Sequence, residues 1–281
     1  MKFTNTDVSD YYSQTLIHYQ TWWNVSDVLA VHYGIWEPGI RSFEQALINT
    51  NQKLAVFAQV APNDLVLDAG CGVGGTSLFL AREVGCQVRG ITLSQKQLDV
   101  ANQAKNSRPE GSAVEFFLQD YTQTDFESDS FDAIIACESV CHANHKEAFL
   151  SEAWRLLKPG GRLVVCDFFL TPEGQKDENQ YIQKWGETWA VSQYNIKGDF
   201  EEKMARAGFQ VIQQKNFTNE ILPSARRMYY AYLLGAIPSK LYNLTHQTSR
   251  FAKTHYLSGK YQYLSLKKKQ WEYWLMSAVK N

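Results

Sequence analysis

The chain has 281 residues, 44% apolar and 20% charged, and its 28 Lys and Arg against 29 Asp and Glu leave a net charge of −1. That length suffices for one large domain or two small ones with a sizeable core, and so even a charge balance offers no argument for nucleic acid or an anionic membrane. No apolar run approaches the ~18 residues of a bilayer span, the N-terminus MKFTNTDVSDYY is too polar for a secretory signal, and five cysteines (Cys71, Cys86, Cys137, Cys141, Cys166) read as reduced thiols of a cytoplasmic protein.

Residues 1–60 read as a helical segment carrying the aromatic clusters YYSQ, TWWN and VHYGIWEPG. From about 64 to 170 the pattern changes. LVLDA, QVRGI, VEFFLQ, FDAIIAC and RLVVCDFFL are short apolar runs bounded by turn signals, as expected of strands buried on both faces. GGTSLFLAREV, SQKQLDVANQAK and NHKEAFLSEAWRLL lie between them with apolar residues at helical spacing. Such alternation predicts an α/β fold, with a doubly wound, mostly parallel sheet and helices on both faces.

In LLKPGGRLVV, Pro159 and the Gly160–Gly161 pair predict a helix stop and a sharp turn into the next strand. DFEEKMARAGFQVIQQ predicts a helix, a stop at Gly208 and a strand. Residues 222–270 predict two or three tyrosine-rich helices, and 273–281 a last strand. The division is then a lid segment (1–60), a core (61–221), an aromatic cap (222–270) and a final core strand (271–281). Aromatic residues reach 14%, with eight Trp and fifteen Tyr gathered toward the two ends, which points to an apolar ligand.

The first strand runs into a glycine turn, LVLDAGCGVGG, in which Gly70, Gly72 and Gly75 fit the spacing GxGxxG. Glycine lets the backbone approach a ligand, and the following helix N-terminus offers unpaired N–H groups. Asp68, two residues before Gly70, would repel a pyrophosphate but suits a cofactor carrying an amino group and a sulfonium cation. Nucleotide folds usually place an acid at the tip of the next strand for the ribose hydroxyls. Here that position is Thr92. Ser94 can cap the helix that follows, Gln97 in its first turn can reach back with a neutral amide, and the Thr92–Leu93 backbone supplies the remaining contacts.

VLDAGCGVGGTSLFLA, FLQDYTQTDF, FDAIIACESVCHA and EAWRLLKPGGRLVV together resemble the class I S-adenosylmethionine-dependent methyltransferases over roughly residues 60–215. GITLSxxQ and HYGIWEPG are similar to the branch with tocopherol, sterol and cyclopropane-forming fatty-acid methyltransferases. The resemblance implies a Rossmann-like, seven-stranded sheet with a helical lid, and S-adenosylmethionine as cofactor. It places Gly70, Gly72 and Gly74 along the methionine part of that cofactor, with Asp68 near its ammonium. Asp120 would accept from the adenine amino group, or simply cap a turn. Tyr121 would flank the ring, Cys137 and Glu138 would line the passage to the sulfonium, and Tyr11 would reach the cofactor carboxylate.

Methyl transfer is an in-line displacement governed by positioning and exclusion of water, with a base only where the acceptor loses a proton. His142 is the first candidate for base or substrate orienter and Glu138 the second. His32, Tyr33 and Trp36 would close over the cofactor and, with Trp189 and Tyr229, face a hydrophobic acceptor, although packing of the lid itself is a competing role for each aromatic. Cys137, Cys141 and His142 match no common metal-ligand spacing, and no pair of carboxylates suggests the divalent metal of catechol-type methyltransferases, so a metal-independent reaction is expected. The expected acceptor is a terpenoid, an aromatic natural product or an indole-type alkaloid, methylated on carbon or nitrogen. An NAD(P)-dependent oxidoreductase, a non-catalytic cofactor-binding protein, a cyclase on the same fold, and methylation of a small polar amine remain as alternatives.

Overall fold

The computed structural model describes residues 2–22, 28–246 and 248–281, the side chains of 17–22 excepted, so the side chains of TWWN (21–24) lie outside the described residues. The centre is a sheet of strands β1 (Leu65–Ala69), β2 (Gln87–Thr92), β3 (Val114–Leu118), β4 (Phe131–Cys137), β5 (Leu157–Leu170), β7 (Phe209–Asn216) and β8 (Trp271–Lys280). Their order is β3-β2-β1-β4-β5-β8-β7, and a two-residue strand β6 (Asn195–Ile196) pairs with β5 as an eighth member. β1 to β6 pair in parallel, while β8 runs antiparallel to both β5 and β7.

Successive strand residues point to opposite faces, and the core divides accordingly. Val66, Val88, Ala133, Ile135 and Val164 belong to one apolar cluster, whereas Leu67, Ile91, Ile134, Ala136 and Val165 belong to the other. The first cluster includes Leu78 and Phe79 of α3 (Gly75–Val84) and Ala101 and Ala104 of α4 (Gln95–Asn106). The second takes Phe149, Leu150 and Ala153 of α5 (Lys146–Leu156) and Phe200 and Met204 of α8 (Lys197–Arg206). This is the doubly wound arrangement that continuous apolar strands require, since both sheet faces must be covered.

The LKPGG junction differs from the expected sharp turn. β5 begins at Leu157, directly after α5, and Leu157 already pairs with Phe131; the register then shifts and pairing resumes at Arg162 opposite Ala133. Pro159 and Gly160, the latter at φ 77°, therefore form a bulge inside the strand rather than a loop before it.

Outside the sheet, α1 (Asn5–Trp22) and α2 (Phe43–Phe57) precede β1, and α6 (Pro172–Lys176) and α7 (Tyr181–Trp189) follow β5. Between β7 and β8 lie α9 (Leu222–Thr245), α10 (Arg250–Thr254) and α11 (Ser258–Lys267). Trp36 ties this insertion to the N-terminal segment: its Nε1–H donates to Ser224 Oγ at 3.0 Å, and Ser224 in turn donates to the carbonyl of Gly34.

Candidate functional site

The sheet order reverses between β1 and β4, so the loops leaving their carboxyl ends diverge and open a crevice. The glycine turn enters it after β1 and residues 138–142 enter after β4. Val8 and Tyr12 of α1 and residues 29–32 complete the wall of a partly open cavity there.

On the glycine side, Asp68 is buried and its Oδ2 accepts from Ser77 Oγ at 2.6 Å. Burial pushes its carboxyl up to about 6. Gly70 sits at φ 93°, and a Cβ there would lie 2.5 Å from that of Ser139, so no other residue fits. α3 opens at Gly74 with no side chain bonded to its N-terminus, and Gly75 and Thr76 of its first turn line the cavity. That leaves a helix end suited to a carboxylate.

Thr92, Leu93 and Gln97 line the cavity beside this turn. Ser94 caps α4, accepting from the Gln97 N–H at 3.3 Å. Thr92 Oγ1 accepts from the Ser94 N–H at 3.2 Å and donates to Gln97 Oε1 at 2.8 Å. The Gln97 carbonyl is thereby held to the strand tip, leaving its NH₂ end as the donor toward the cavity.

Across the crevice, Glu138 is buried with a left-handed φ of 50°. Its Oε1 accepts from the Tyr33 N–H and the Tyr273 O–H, each at 2.7 Å. Burial outweighs these bonds and raises the carboxyl to about 8. It is therefore largely a neutral acid at pH 7, with a proton to donate.

His142 lies in a short 3₁₀ turn, Val140–His142. Lys146 Nζ holds that turn by donating to the carbonyls of Cys141 and Ala143, and Asp167 Oδ2 accepts from the Cys141 N–H at 2.8 Å. His142 Nδ1 faces the Ala190 carbonyl at 3.4 Å and Nε2 meets Tyr12 Oη at 2.9 Å. Burial lowers the imidazole to about 4, so the ring is neutral. The ring of Trp189 packs beside it, 5.5 Å between centroids.

The cavity thus brings together His142, Glu138, Asp68, Gly70, Gly72, Thr92, Leu93, Gln97, Tyr121, Cys137, His32 and Trp189 from the sequence reading. Six others stand elsewhere among the described residues. Gly74 packs against Phe116, whose Cζ would sit 2.5 Å from an added Cβ. Asp120 closes a turn, accepting from Thr122 N–H and Oγ1–H, and also accepts from Asn5; Gln119 and Tyr121 on either side of it reach the cavity instead. Tyr11 points to the cap, where it meets His255 and Phe251, because neighbouring helix positions diverge by about 100°. Tyr33 packs on Phe168 and reaches Gln262, Trp36 bonds Ser224, and Tyr229 stacks on Tyr263.

Gly75, the third glycine of the GxGxxG spacing, also lines the cavity. Sequence reasoning missed Tyr12, Val8, Thr76 and Gln119. Thr76 was detectable in the first turn of the helix after the glycines; Tyr12 carried no signal separating it from Tyr11. No group of three His, Cys, Asp or Glu side chains suited to a metal occurs among the described residues.

Residues 67–165 match the family described as "Methyltransferase domain". An O-methyltransferase of Pyrenophora dematioidea is 30% identical over 204 residues, covering 71% of this chain and 76% of that protein. The chain belongs to the class I S-adenosylmethionine-dependent methyltransferases. Within that family, sterol 24-C-methyltransferase ERG6 of Saccharomyces cerevisiae is 33% identical over 175 residues, 62% of this chain but only 44% of the yeast protein. The chain thus spans less than half the length of such sterol relatives. Among solved structures, the mycolic acid cyclopropane synthase CmaA1 superposes with a TM-score of 0.84 over 100% of this chain and 99% of its own, at 16% identity, a likeness of fold alone.

Proposed function

We propose that the protein transfers a methyl group from S-adenosylmethionine to a nucleophilic atom of a hydrophobic small molecule. The observation that carries this reading is a single cavity with two chemically different sides. One side has the glycine turn, the α3 N-terminus, the buried Asp68 carboxyl and the Gln97 amide, donors and acceptors that fit a carboxylate, an ammonium and a ribose diol. The other has Trp189 beside His142 and Val8 one turn before Tyr12 on α1, an apolar wall with the Tyr12–His142 pair as its polar handle, while Leu29 and Val31 cover the glycine turn.

When bound, the cofactor supplies an electrophilic methyl carbon on a sulfonium. The residues of this chain position the acceptor, exclude water and manage a proton. Neutral His142 presents the Nε2 lone pair to the Tyr12 hydroxyl, so Tyr12 Oη can take the acceptor's proton while passing its own to Nε2. Glu138, held by Tyr33 and Tyr273, donates a hydrogen bond toward the middle of the cavity. The sterol named as the substrate of the yeast relative supports an apolar acceptor.

The test is incubation of the purified protein with isotopically labelled cofactor and a panel of terpenoid, phenolic, indole and small-amine acceptors, read by mass spectrometry. A gain of one methylene on an apolar acceptor is expected. Exclusive methylation of the small amines would overturn the reading.

A further inference from the structure

The near-zero net charge conceals a segregation. Residues 221–271 contain nine Lys and Arg and no Asp or Glu, leaving 19 cations against 29 acids in the rest of the chain. The same segment carries α9, whose apolar face points outward. Tyr230, Leu233, Leu234, Ile237, Leu241 and Leu244 follow one another at helical spacing, and Leu234 and Ile237 are each 70% exposed and Leu244 83%. This stripe runs ~21 Å along the helix axis at 1.5 Å per residue. The inward face packs tyrosine on tyrosine: Tyr229 on Tyr263, and Tyr232 on Tyr256. An apolar helix face turned away from the core marks an interaction site.

The charges on and around that stripe decide what covers it. Arg226 and Arg227 stand at its start and Lys240 within it; Arg250 and Lys253 follow on α10, and Lys260 on α11. Some are partly engaged: Arg250 lies 3.5 Å from Asp7, Arg227 over the Phe43 ring and Lys260 over Tyr232. The segment itself offers these cations no acid. An exposed apolar ridge flanked by cations complements a surface that is apolar inside and anionic outside. We infer that α9 seats this protein on an anionic lipid surface, with the leucine ridge in the headgroup–acyl boundary and the surrounding Lys and Arg among the phosphates. The base of the helix is bonded through Ser224 to the Gly34–Trp36 loop, two residues past His32 on the cavity wall, which links the root of the docking helix to the site.

Co-sedimentation of the full chain with vesicles of phosphatidylcholine alone, and of phosphatidylcholine with 30% phosphatidylglycerol (about one anionic lipid in three, a moderate surface potential), tests this independently of any methyl acceptor. Binding to the anionic vesicles at low salt is expected, with at least tenfold loss in high salt and for the pair Leu234→Glu with Ile237→Glu. The pair Lys240→Gln with Lys253→Gln, which leaves the ridge intact, should weaken binding several-fold. All four positions are outside the cavity, and unchanged thermal unfolding checks the fold. Failure to bind anionic vesicles, binding that ignores the leucine-ridge variants, or a dimer in size-exclusion that those variants dissociate without any vesicle binding would each overturn the inference. So would binding to an acidic protein partner in the absence of lipid affinity.

Discussion

Tyr12 Oη lies 2.9 Å from His142 Nε2, joining residues 130 apart in the chain at the floor of the cavity. The direction of the bond follows from the other ring nitrogen. Nδ1 faces the Ala190 carbonyl, which can only accept, so Nδ1 carries the hydrogen and Nε2 accepts from the phenol.

Tyr12→Phe and His142→Gln should each lower kcat by about 10²- to 10⁴-fold for an acceptor that loses a proton. Cofactor affinity, measured by calorimetry, should be unchanged. If the two side chains act as one device, the double variant is no slower than the slower single variant. Multiplicative losses would show that they act separately.

Asp68 should govern the pH dependence of cofactor binding. Its carboxyl is raised to about 6 in the free protein, and only the ionised form attracts an ammonium or sulfonium. Affinity should therefore rise with pH through about 6 and level off near 7, with proton release on binding below that point. Asp68→Asn should bind more weakly and flatten the profile. A wild-type affinity constant between pH 5 and 7 would place the cationic groups elsewhere.

Gln97→Ala should weaken cofactor binding about tenfold, the cost of one buried hydrogen-bonding group, with little change in Tm. Thr92→Val keeps the volume but frees the Gln97 carbonyl from its 2.8 Å bond, so a smaller loss is expected. An unchanged dissociation constant for Gln97→Ala would remove this residue from the ribose contact.

Glu138 sets a stability slope. Its folded-state value of about 8 lies above the unfolded value, so the native state holds a proton that the unfolded chain releases. That contribution is complete below about pH 4.5 and is lost as pH rises toward 8. Glu138→Gln retains an oxygen acceptor for Tyr33 and Tyr273 without the titration. Its Tm relative to wild type should increase from pH 5 to pH 8, by roughly 2–4 °C for each kcal/mol of linkage. A pH-independent difference would mean that Glu138 is already ionised.

The charge pattern shows how a legible feature can be lost by averaging. The acid-free run from 221 to 271 is plain in the residues, yet a net charge of −1 for the chain conceals it. Its consequence needed the structure, because only packing shows that Leu234, Ile237 and Leu244 face outward while Tyr229 and Tyr232 face in.

What the sequence determined by itself was local. The buried strands follow from short apolar runs between about 64 and 170, and the glycine turn, Asp68 and the Thr92–Ser94–Gln97 arrangement lie within residues 65–97; in each case dihedral preference, side-chain period and capping act over a few residues. Cys137, Glu138 and His142 were singled out by the resemblance to the methyltransferase branch, at and just past the end of an apolar strand. Tertiary structure decided whatever depended on the phase of one element against another. Tyr12 rather than Tyr11 faces the site because α1 docks with that side of its turn inward. Tyr273 reaches Glu138 through its hydroxyl because β8 returns antiparallel beside β5, and Tyr33 reaches it through its backbone from the N-terminal segment. Asp120, beside two cavity residues, turns its carboxylate to Thr122 and Asn5. A rotation of 100° or a strand shift of one residue would exchange these outcomes, and only the packing of the whole core selects among them.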